Sequence, residues 1–206
     1  MRGARAGLLA ALAAAQLCAC GGKPAPGAGA GTAMEAKVSE NETKSGLETA
    51  TLAGGCFWGM EDILRKLPGV AETVVGYTGG HTDSPTYEDV HTGTTGHAES
   101  IQLRFDPKKI TYGQLLDMFF RMHDPTTPNR QGNDIGTQYR SAIFYHGEAQ
   151  RKEAEAAVRR AKDSGRWKRP ITTEIAPAGK FWPAEEYHQD YLQKHPGGYT
   201  CHYIRD

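Results

Sequence analysis

A cysteine between two glycines and two aromatic residues is the first candidate for chemistry. It lies in the stretch TLAGGCFWGMEDIL, where a strand pattern ends and helical spacing begins at Phe57. The sulfur of Cys56 would lie near the unpaired N–H groups of the first helical turn, which favour the thiolate. Gly54 and Gly55 permit an unusual backbone and the close approach of a ligand. Phe57 and Trp58 alone are typical of a core, but beside this cysteine they indicate a hydrophobic binding site.

A carboxylate that points inward is the second candidate. In AESIQLRF, residues 98–105, Ile101, Leu103 and Phe105 alternate along one face of a strand, and Glu99 falls on the same face. A buried carboxylate is costly unless it is paired, protonated or used. One interpretation is a carboxylic acid with a raised pKa that donates a proton near neutral pH. The other is a frayed strand end that leaves Glu99 in solvent.

Two tyrosines and an aspartate lie in or beside glycine-rich loops. Tyr87 is in the long polar loop 79–97, and Tyr139 opens a strand just after a second such loop. A loop of this length in a compact domain is a candidate for function. Two phenols could hydrogen-bond a polar oxygen of a substrate, although a tyrosine at a loop edge is usually structural. Asp134, beside glycines in QGNDIGTQYR, is typical of a turn.

The chain has four cysteines, of which Cys56 and Cys201 belong to the region that can fold. In an exported domain such a pair is most often a structural disulfide, and these residues leave that alternative open. His188, His195, Cys201 and His202 lie close together in the sequence, but none of the zinc-binding spacings is present. We therefore expect no metal site, and no phosphate-binding loop or dinucleotide fingerprint occurs.

The elements that must position these residues follow from the apolar periodicity. Apolar residues alternate in several short stretches and recur at helical spacing in others, and a capping-box pattern begins at Thr111. Strands are predicted over residues 48–54, 71–78, 98–105, 139–145 and 171–177, and helices over 57–67, 111–122, 148–165 and 184–194.

The order β-α-β-β-α-β, with further elements at the C-terminus, is a split βαβ pattern. It predicts an α+β fold, a two-layer sandwich in which helices lie largely on one face of a mixed sheet with a ferredoxin-like core. No repeat or second linker divides the chain from residue 48 onward. We therefore expect residues 48–206 to form one domain.

Two segments precede this domain. Residues 1–20 combine two arginines, a Leu/Ala run too short to span a bilayer stably, and LCAC followed by glycine. The segment resembles a bacterial lipoprotein signal in which Cys20 becomes the lipid-bearing first residue. The alternative is an ordinary secretory signal cut after Ala15 or Ala19. Residues 21–47, rich in Gly, Ala and Pro, predict a flexible tether with a reach of about 30 Å.

Either signal places the protein outside the cytoplasm, and the lipoprotein interpretation anchors it to a membrane of the bacterial cell envelope, in the periplasm. Lysine plus arginine equal aspartate plus glutamate at 24 each, so no strong field steers the protein toward nucleic acid. We expect a monomer with no nucleic-acid partner.

Five sequence blocks together resemble one enzyme family, and they run in order from about residue 50 to residue 203. They are GGCFWGMED, GYTGGHTDSPTYEDV, TGHAESIQLRFDP, HDPTTPNRQGNDIGTQYRSAIF and ITTEIAPAGKFWPAEEYHQDYLQKHPGGYTCH. The chain is similar to the peptide methionine sulfoxide reductases of the A type (MsrA). The resemblance implies thiol-dependent reduction of peptide-bound and free methionine S-sulfoxide to methionine, and hence the repair of oxidised proteins.

The resemblance also implies a role for each candidate in the first half of the reaction. Cys56 would attack the sulfoxide sulfur, and Glu99 would donate a proton to the leaving oxygen. Tyr87 and Tyr139 would hold that oxygen. A sulfoxide oxygen is a poor leaving group unless it is protonated, which explains why an acid and hydrogen-bond donors are needed.

The remaining candidates would bind the substrate or complete the cycle. Phe57 and Trp58 would form the wall of a pocket for the methyl group, with Asp134 as a supporting residue. Cys201 would be the resolving cysteine, which attacks a sulfenic acid on Cys56 to form a disulfide. Its setting, HPGGYTC, predicts a mobile tail whose thiol swings inward.

The implied cycle requires no cofactor, because an external thioredoxin or another dithiol reduces the disulfide. Some family members carry two C-terminal cysteines, whereas this chain ends CHYIRD with one, so we expect a cycle of two cysteines. The implied partners are oxidised proteins or peptides and a thioredoxin-like reductant. Two alternatives remain, a non-catalytic exported lipoprotein domain with a structural Cys56–Cys201 disulfide, and another thiol enzyme such as a reductase of small sulfoxides.

Overall fold

The computed structural model describes residues 46–206. The predicted signal segment 1–20, with the lipid site Cys20, lies outside the described residues, and so does the tether up to residue 45. Within residues 46–206, no helix is long and apolar enough to cross a membrane.

The predicted strands and helices are largely present, with short additional elements between them. The strands are β1 (Glu48–Gly54), β2 (Val70–Thr78), β3 (Ala98–Phe105), β4 (Arg130–Gln131), β5 (Asp134–Ile135), β6 (Ser141–Tyr145), β7 (Glu174–Pro177) and β8 (Trp182–Pro183). The helices are α1 (Phe57–Leu64), α2 (Tyr87–His91), α3 (Tyr112–Met122), α4 (Glu148–Asp163) and α5 (Tyr191–Lys194), with a 3₁₀ turn at Thr137–Tyr139.

The main sheet has the order β7-β6-β1-β3-β2-β8. β3 lies between β1 and β2 and is antiparallel to both, which is the split βαβ arrangement of a ferredoxin-like core. β6 is antiparallel to β1 but parallel to β7, so the sheet is mixed. The predicted α+β class and mixed sheet are therefore confirmed.

One face of this sheet carries the helices. Side chains from β1, β3, α1, α3 and α4 form one buried cluster on that face. The opposite face is covered more thinly, because Ala53, Ala98, Ala142 and Phe144 form a small cluster with only Ala176 of β7 and the nearby Ala178. The C-terminal ends of β1 and β2 lie beside the N-terminal end of β3. The site candidates near positions 56 and 99 therefore meet at this end of the sheet.

The structure corrects four predicted elements. The strand predicted over 139–145 begins at Ser141, because Tyr139 closes a 3₁₀ turn with a backbone hydrogen bond to Gly136. The long loop 79–97 contains α2, which Thr86 caps through a reciprocal capping box. The loop before Tyr139 contains the hairpin β4–β5.

A fourth correction concerns the last predicted helix, since only Tyr191–Lys194 of the segment 184–194 is helical. The preceding turns are fixed by tertiary hydrogen bonds that a continuous helix would break. The side chain of Gln189 donates to and accepts from the backbone of Val75 at 2.9 Å, and the backbone N–H of Asp190 donates to the Glu61 carboxylate at 3.0 Å. Contacts with distant residues thus override the local helical pattern.

The backbone at Gly55 yields a test of this packing. Gly55 has φ +106°, and a Cβ there would lie 2.6 Å from the Gln131 side chain. We expect Gly55→Ala to lower the free energy of unfolding by about 2 kcal/mol or more, because overpacking and an unfavourable φ each cost on the order of 1–3 kcal/mol. Urea unfolding of the reduced protein measures this. Gly179→Ala is the control, since a Cβ there meets nothing within 4 Å, and equal stability losses in the two variants would contradict the prediction.

Candidate active site

Cys56 occupies the N-cap position of α1, directly after β1, and its side chain is a buried free thiol. The backbone N–H of Trp58 donates to the sulfur, as expected at a helix start. Burial nevertheless raises the pKa of the thiol well above its ordinary value, and the neighbouring Glu99 raises it further. The prediction that the helix start favours a thiolate is therefore wrong for the free protein, because desolvation outweighs the hydrogen bond.

Glu99 lies on the buried face of β3, and its strand is not frayed at this end. It pairs with Tyr77 in the ladder and is only 2% exposed. Its Oε2 accepts a hydrogen bond from the backbone N–H of Phe57 at 3.1 Å. Burial raises the pKa of Glu99 to about 8, although that hydrogen bond opposes the change. The side chain is therefore mostly a neutral carboxylic acid at pH 7.

Both candidate tyrosines belong to the same site. Tyr139 is buried and Tyr87 half-buried, and burial is the main cause that raises the pKa of each phenol, to about 12 for Tyr87. The charges of Glu99 and Cys56 raise both values further, which places the four groups together. Both phenols keep their protons at neutral pH and can donate hydrogen bonds.

An aromatic wall lies next to the thiol. The Phe57 ring is 5.9 Å from Tyr77, and the Trp58 indole stacks on Tyr191 at 3.7 Å with an interplanar angle of 11°. His188 packs between these rings, 5.2 Å from Phe57. Phe57 is fully buried and Trp58 partly exposed, so only the second ring remains accessible to a ligand.

Sequence reasoning missed His188 and Tyr191 as members of this wall. The indole N–H of Trp58 donates to Nδ1 of His188 at 3.0 Å, so the ring proton of a neutral imidazole is on Nε2. That Nε2–H is buried and has no hydrogen-bond partner within residues 46–206. The only available signal was the block EEYHQDY, in which the histidine and the tyrosine are three residues apart.

Asp134 reaches the site from β5 and is more than a turn residue. Its Oδ1 accepts a hydrogen bond from the Tyr199 hydroxyl at 3.0 Å, and its Oδ2 is buried without a partner in the described part of the chain. Its negative charge contributes to the raised pKa values of Glu99, Tyr139 and Cys201. The carboxylate therefore faces the same pocket as the other candidates.

The C-terminal tail is docked against the site, contrary to the predicted swinging tail. Cys201 is half-buried, and the backbone N–H of Cys56 donates to its sulfur. The next residue, His202, is 6% exposed and its Nε2–H donates to the carbonyl oxygen of Gly54 at 2.8 Å. Both cysteines are free thiols, so the described fold does not depend on a disulfide between them.

Side chains of the protein itself, and not the predicted ligand, pack closely against the two glycines before Cys56. A Cβ on Gly54 would lie 3.0 Å from the Phe119 ring, and one on Gly55 would collide with Gln131 and approach His202. The two glycines therefore allow the strand end to pack tightly on α3 and on the C-terminal tail.

The arrangement can attack an electrophilic centre and protonate an oxygen bonded to it. A thiol supplies the nucleophile, a neutral carboxylic acid the proton, and two phenols the donors that orient the oxygen. A second thiol, that of Cys201, lies beside the first residue and accepts a hydrogen bond from the Cys56 backbone N–H.

Comparisons with known proteins agree with this chemistry. The family model described as peptide methionine sulfoxide reductase matches residues 48–206. Peptide methionine sulfoxide reductase MsrA of Mycobacterium sp. (strain MCS) is 55% identical over 156 residues, which cover 76% of this chain and 89% of that protein.

Solved structures show the same similarity. Reduced Mxr1 of Saccharomyces cerevisiae superposes with a TM-score of 0.74 and 45% identity over 78% of this chain and 93% of that one. The same yeast protein in complex with Trx2 gives a TM-score of 0.54 and 33% identity over 78% and 91%.

The buried acid predicts a pH-dependent stability. The pKa of Glu99 is about 8 in the folded protein, against about 4.3 for an unfolded chain. Between these values the folded state binds more protons, so the contribution of Glu99 to the free energy of unfolding falls as pH rises. We expect Glu99→Gln to gain stability relative to wild type from pH 5 to pH 8.5, measured by urea unfolding under reducing conditions. Glu48→Gln, at an exposed position of β1, is the control, and a constant difference between wild type and Glu99→Gln would contradict the prediction.

Proposed function

The chain belongs to the peptide methionine sulfoxide reductase family, and we propose that it reduces methionine S-sulfoxide by thiol attack from Cys56 with proton donation from Glu99. It is an enzyme of the A type, as its relatives are named. The observation that carries the proposal is a buried thiol beside a buried carboxyl whose pKa is about 8, linked through the backbone N–H of Phe57.

Binding would place the sulfoxide between the aromatic wall and the donors. The methyl group packs against the accessible Trp58 ring, which the buried Phe57 ring supports, and the oxygen accepts hydrogen bonds from Tyr87, Tyr139 and Glu99. Asp134 supports the far side of the pocket. Such a site holds the sulfur of the substrate next to Cys56 while the polar S–O bond points to groups that can protonate it.

The first chemical step transfers the oxygen to the enzyme. Glu99 gives its proton to the sulfoxide oxygen as the Cys56 sulfur attacks, and the thiol proton of Cys56 returns Glu99 to its neutral acid form. The bond from oxygen to the substrate sulfur breaks, a bond from oxygen to the Cys56 sulfur forms, and methionine leaves. The substrate sulfur gains the two electrons that the Cys56 sulfur loses, so no cofactor enters the step.

The second step removes the sulfenic acid. Cys201 attacks the Cys56 sulfur, a disulfide forms, and water is lost. The docked tail supports this step, because Cys201 already receives a hydrogen bond from the backbone N–H of Cys56. An external dithiol then reduces the disulfide, and the complex of the yeast relative Mxr1 with Trx2 supports a thioredoxin-like protein as that partner. The substrates are oxidised proteins or peptides and free methionine sulfoxide.

Replacement of the resolving thiol tests the proposal. We expect Cys201→Ser to form one equivalent of methionine per enzyme from the S epimer and then to stop, with a sulfenic acid on Cys56. Liquid chromatography measures the methionine, and mass spectrometry of a dimedone adduct locates the sulfenic acid. Cys56→Ser should form no methionine.

Three results would contradict this scheme. Full turnover of Cys201→Ser with thioredoxin as the only reductant would exclude the resolving role. Failure of the wild-type enzyme to reduce S-sulfoxide would exclude the function, and a Cys56–Cys201 disulfide that resists cycling with dithiols would favour a structural bridge.

We also propose that the enzyme is exported and lipid-anchored through Cys20, with residues 21–47 as a tether to the periplasmic face of a membrane. The support is the pattern of residues 1–20, which lies outside the described residues. Mass spectrometry of the mature N-terminus should find a diacylglycerol-modified Cys20. An unmodified N-terminus created by cleavage after Ala15 or Ala19 would show an ordinary secretory signal.

A further inference from the structure

A histidine that the scheme above leaves unused contacts the resolving cysteine. Nδ1 of His202 lies 3.4 Å from the Sγ of Cys201, which is within hydrogen-bond distance for sulfur. The side chain is 6% exposed, so water does not replace this contact. A buried imidazole against a reactive thiol is the arrangement that general-base catalysis uses.

The other ring nitrogen of His202 fixes which of the two carries the proton. Nε2 lies 2.8 Å from the carbonyl oxygen of Gly54. A carbonyl oxygen only accepts, so Nε2 must donate, and Nδ1 of the neutral ring is left with a lone pair. In the contact with Nδ1 the Cys201 thiol is therefore the donor, and the Asp134 carboxylate is a second acceptor for the same thiol proton. Because Gly54 is two residues before Cys56, the same bond fixes the imidazole relative to the attacked sulfur.

Burial and the charges around His202 keep its Nδ1 lone pair unprotonated. Burial lowers the pKa of His202 to about 4, and the nearby Arg205 contributes in the same direction. His123, the buried C-cap residue that follows α3, lies near His202 and has its own pKa lowered to about 3, chiefly by burial. Both imidazoles are thus neutral at pH 7. Asp134 opposes these effects and would stabilise an imidazolium that forms during a reaction.

The resolving thiol needs such a base. Burial raises the pKa of Cys201 to about 12, and both a hydrogen bond of its thiol to the Asp134 side chain and the negative charge of Asp134 raise it further. Only about one molecule in 10⁵ would then hold a thiolate at pH 7, and the thiolate is the attacking species. A resolving step that depends on this small thiolate fraction is slow unless a neighbouring base removes the thiol proton during the attack.

We propose that His202 is the general base of the resolving step, in which it takes the Cys201 proton through Nδ1 as the Cys201 sulfur attacks the sulfenic acid of Cys56. This role rests on the proposed function. The S–H bond of Cys201 and the S–O bond of Cys56 break, and the S–S bond forms. The thiol proton and the hydroxyl group leave together as one water molecule. The Cys56 sulfur is reduced and the Cys201 sulfur is oxidised, so the step needs no outside oxidant.

His202→Gln removes the base while preserving the tail. The amide nitrogen of glutamine can still donate to the Gly54 carbonyl, but the side chain has no basic nitrogen. His97→Gln is the matched control, because His97 is also buried and its Nε2 lies 2.8 Å from the carbonyl oxygen of Thr82. Its Nδ1 accepts from the backbone of Gly80, and it makes no contact with Cys201.

A single-turnover experiment without reductant separates the two steps. Each enzyme is mixed with methionine S-sulfoxide in a rapid-quench apparatus, and methionine, dimedone-reactive sulfenic acid and free thiols are followed. We expect His202→Gln to form its equivalent of methionine at a rate within about threefold of wild type. Conversion of its sulfenic acid to the disulfide should be slower by about 10²–10⁴-fold, the usual contribution of a general base. His97→Gln should match wild type in both steps.

The pH profile distinguishes a base from a residue that merely docks the tail. The disulfide-forming rate of wild type should be constant from about pH 6 to 8, because His202 is neutral throughout. In His202→Gln the rate should rise about tenfold per pH unit with the thiolate fraction of Cys201. If His202 only docks the tail, His202→Gln would lower the rate but keep the flat pH profile of wild type. That result would overturn the proposal.

Two further outcomes are decisive. Disulfide formation at the wild-type rate in folded His202→Gln would overturn the role of His202. Absence of methionine from the wild-type reaction would instead overturn the proposed function. Circular dichroism checks the fold, and His202→Asn, with a smaller side chain and no base, repeats the test if glutamine does not fit.

Discussion

The hydrogen bond from the Phe57 backbone N–H to the Glu99 carboxyl is the contact on which the site depends. It joins the first turn of α1 to the start of β3 at 3.1 Å, directly beside the thiol of Cys56. It can form only because Glu99 lies inward on β3, where burial keeps the carboxyl protonated. The hydrogen bond lowers the carboxyl pKa, whereas desolvation raises it by more. Hence the site holds a proton donor at neutral pH chiefly because the carboxyl is buried, and the negative charge of Asp134 adds to this effect.

The same burial controls the nucleophile, and the two effects are linked. A negative charge on Glu99 raises the pKa of the Cys56 thiol, so the two groups do not ionise together. In the free enzyme both are neutral, so neither group adds a buried charge to the pocket. Charge separates only when a polar S–O bond enters and accepts the proton of Glu99. Thiol attack and oxygen protonation therefore depend on each other. Water has no electrophilic sulfur, so Cys56 and Glu99 do not react with it.

Local periodicity was sufficient to predict the elements that carry Cys56 and Glu99. The strand and helix around Cys56 and the inward phase of Glu99 follow from residues adjacent in the sequence. The thiolate predicted at Cys56 was wrong, because the depth of burial depends on side chains from other elements. Only Phe57 and Trp58 of the aromatic wall were predicted from the sequence, because His188 is 130 positions away from Trp58. The turn before Tyr191 was missed because the Glu61 carboxylate fixes it from α1.

The docked tail changes how the proposed cycle has to be understood. A glycine-rich segment ending in a cysteine was interpreted as a swinging arm, yet the bond from His202 to Gly54 anchors it beside the first thiol. A tail already in place removes the loop-closure entropy that a swinging thiol would have to overcome at each turnover. The two sulfurs also differ in access, since Cys56 is 7% exposed and Cys201 is half-buried. For the proposed cycle, this difference predicts that an external dithiol attacks the Cys201 sulfur of the disulfide and releases Cys56 as the leaving thiol, ready for the next sulfoxide.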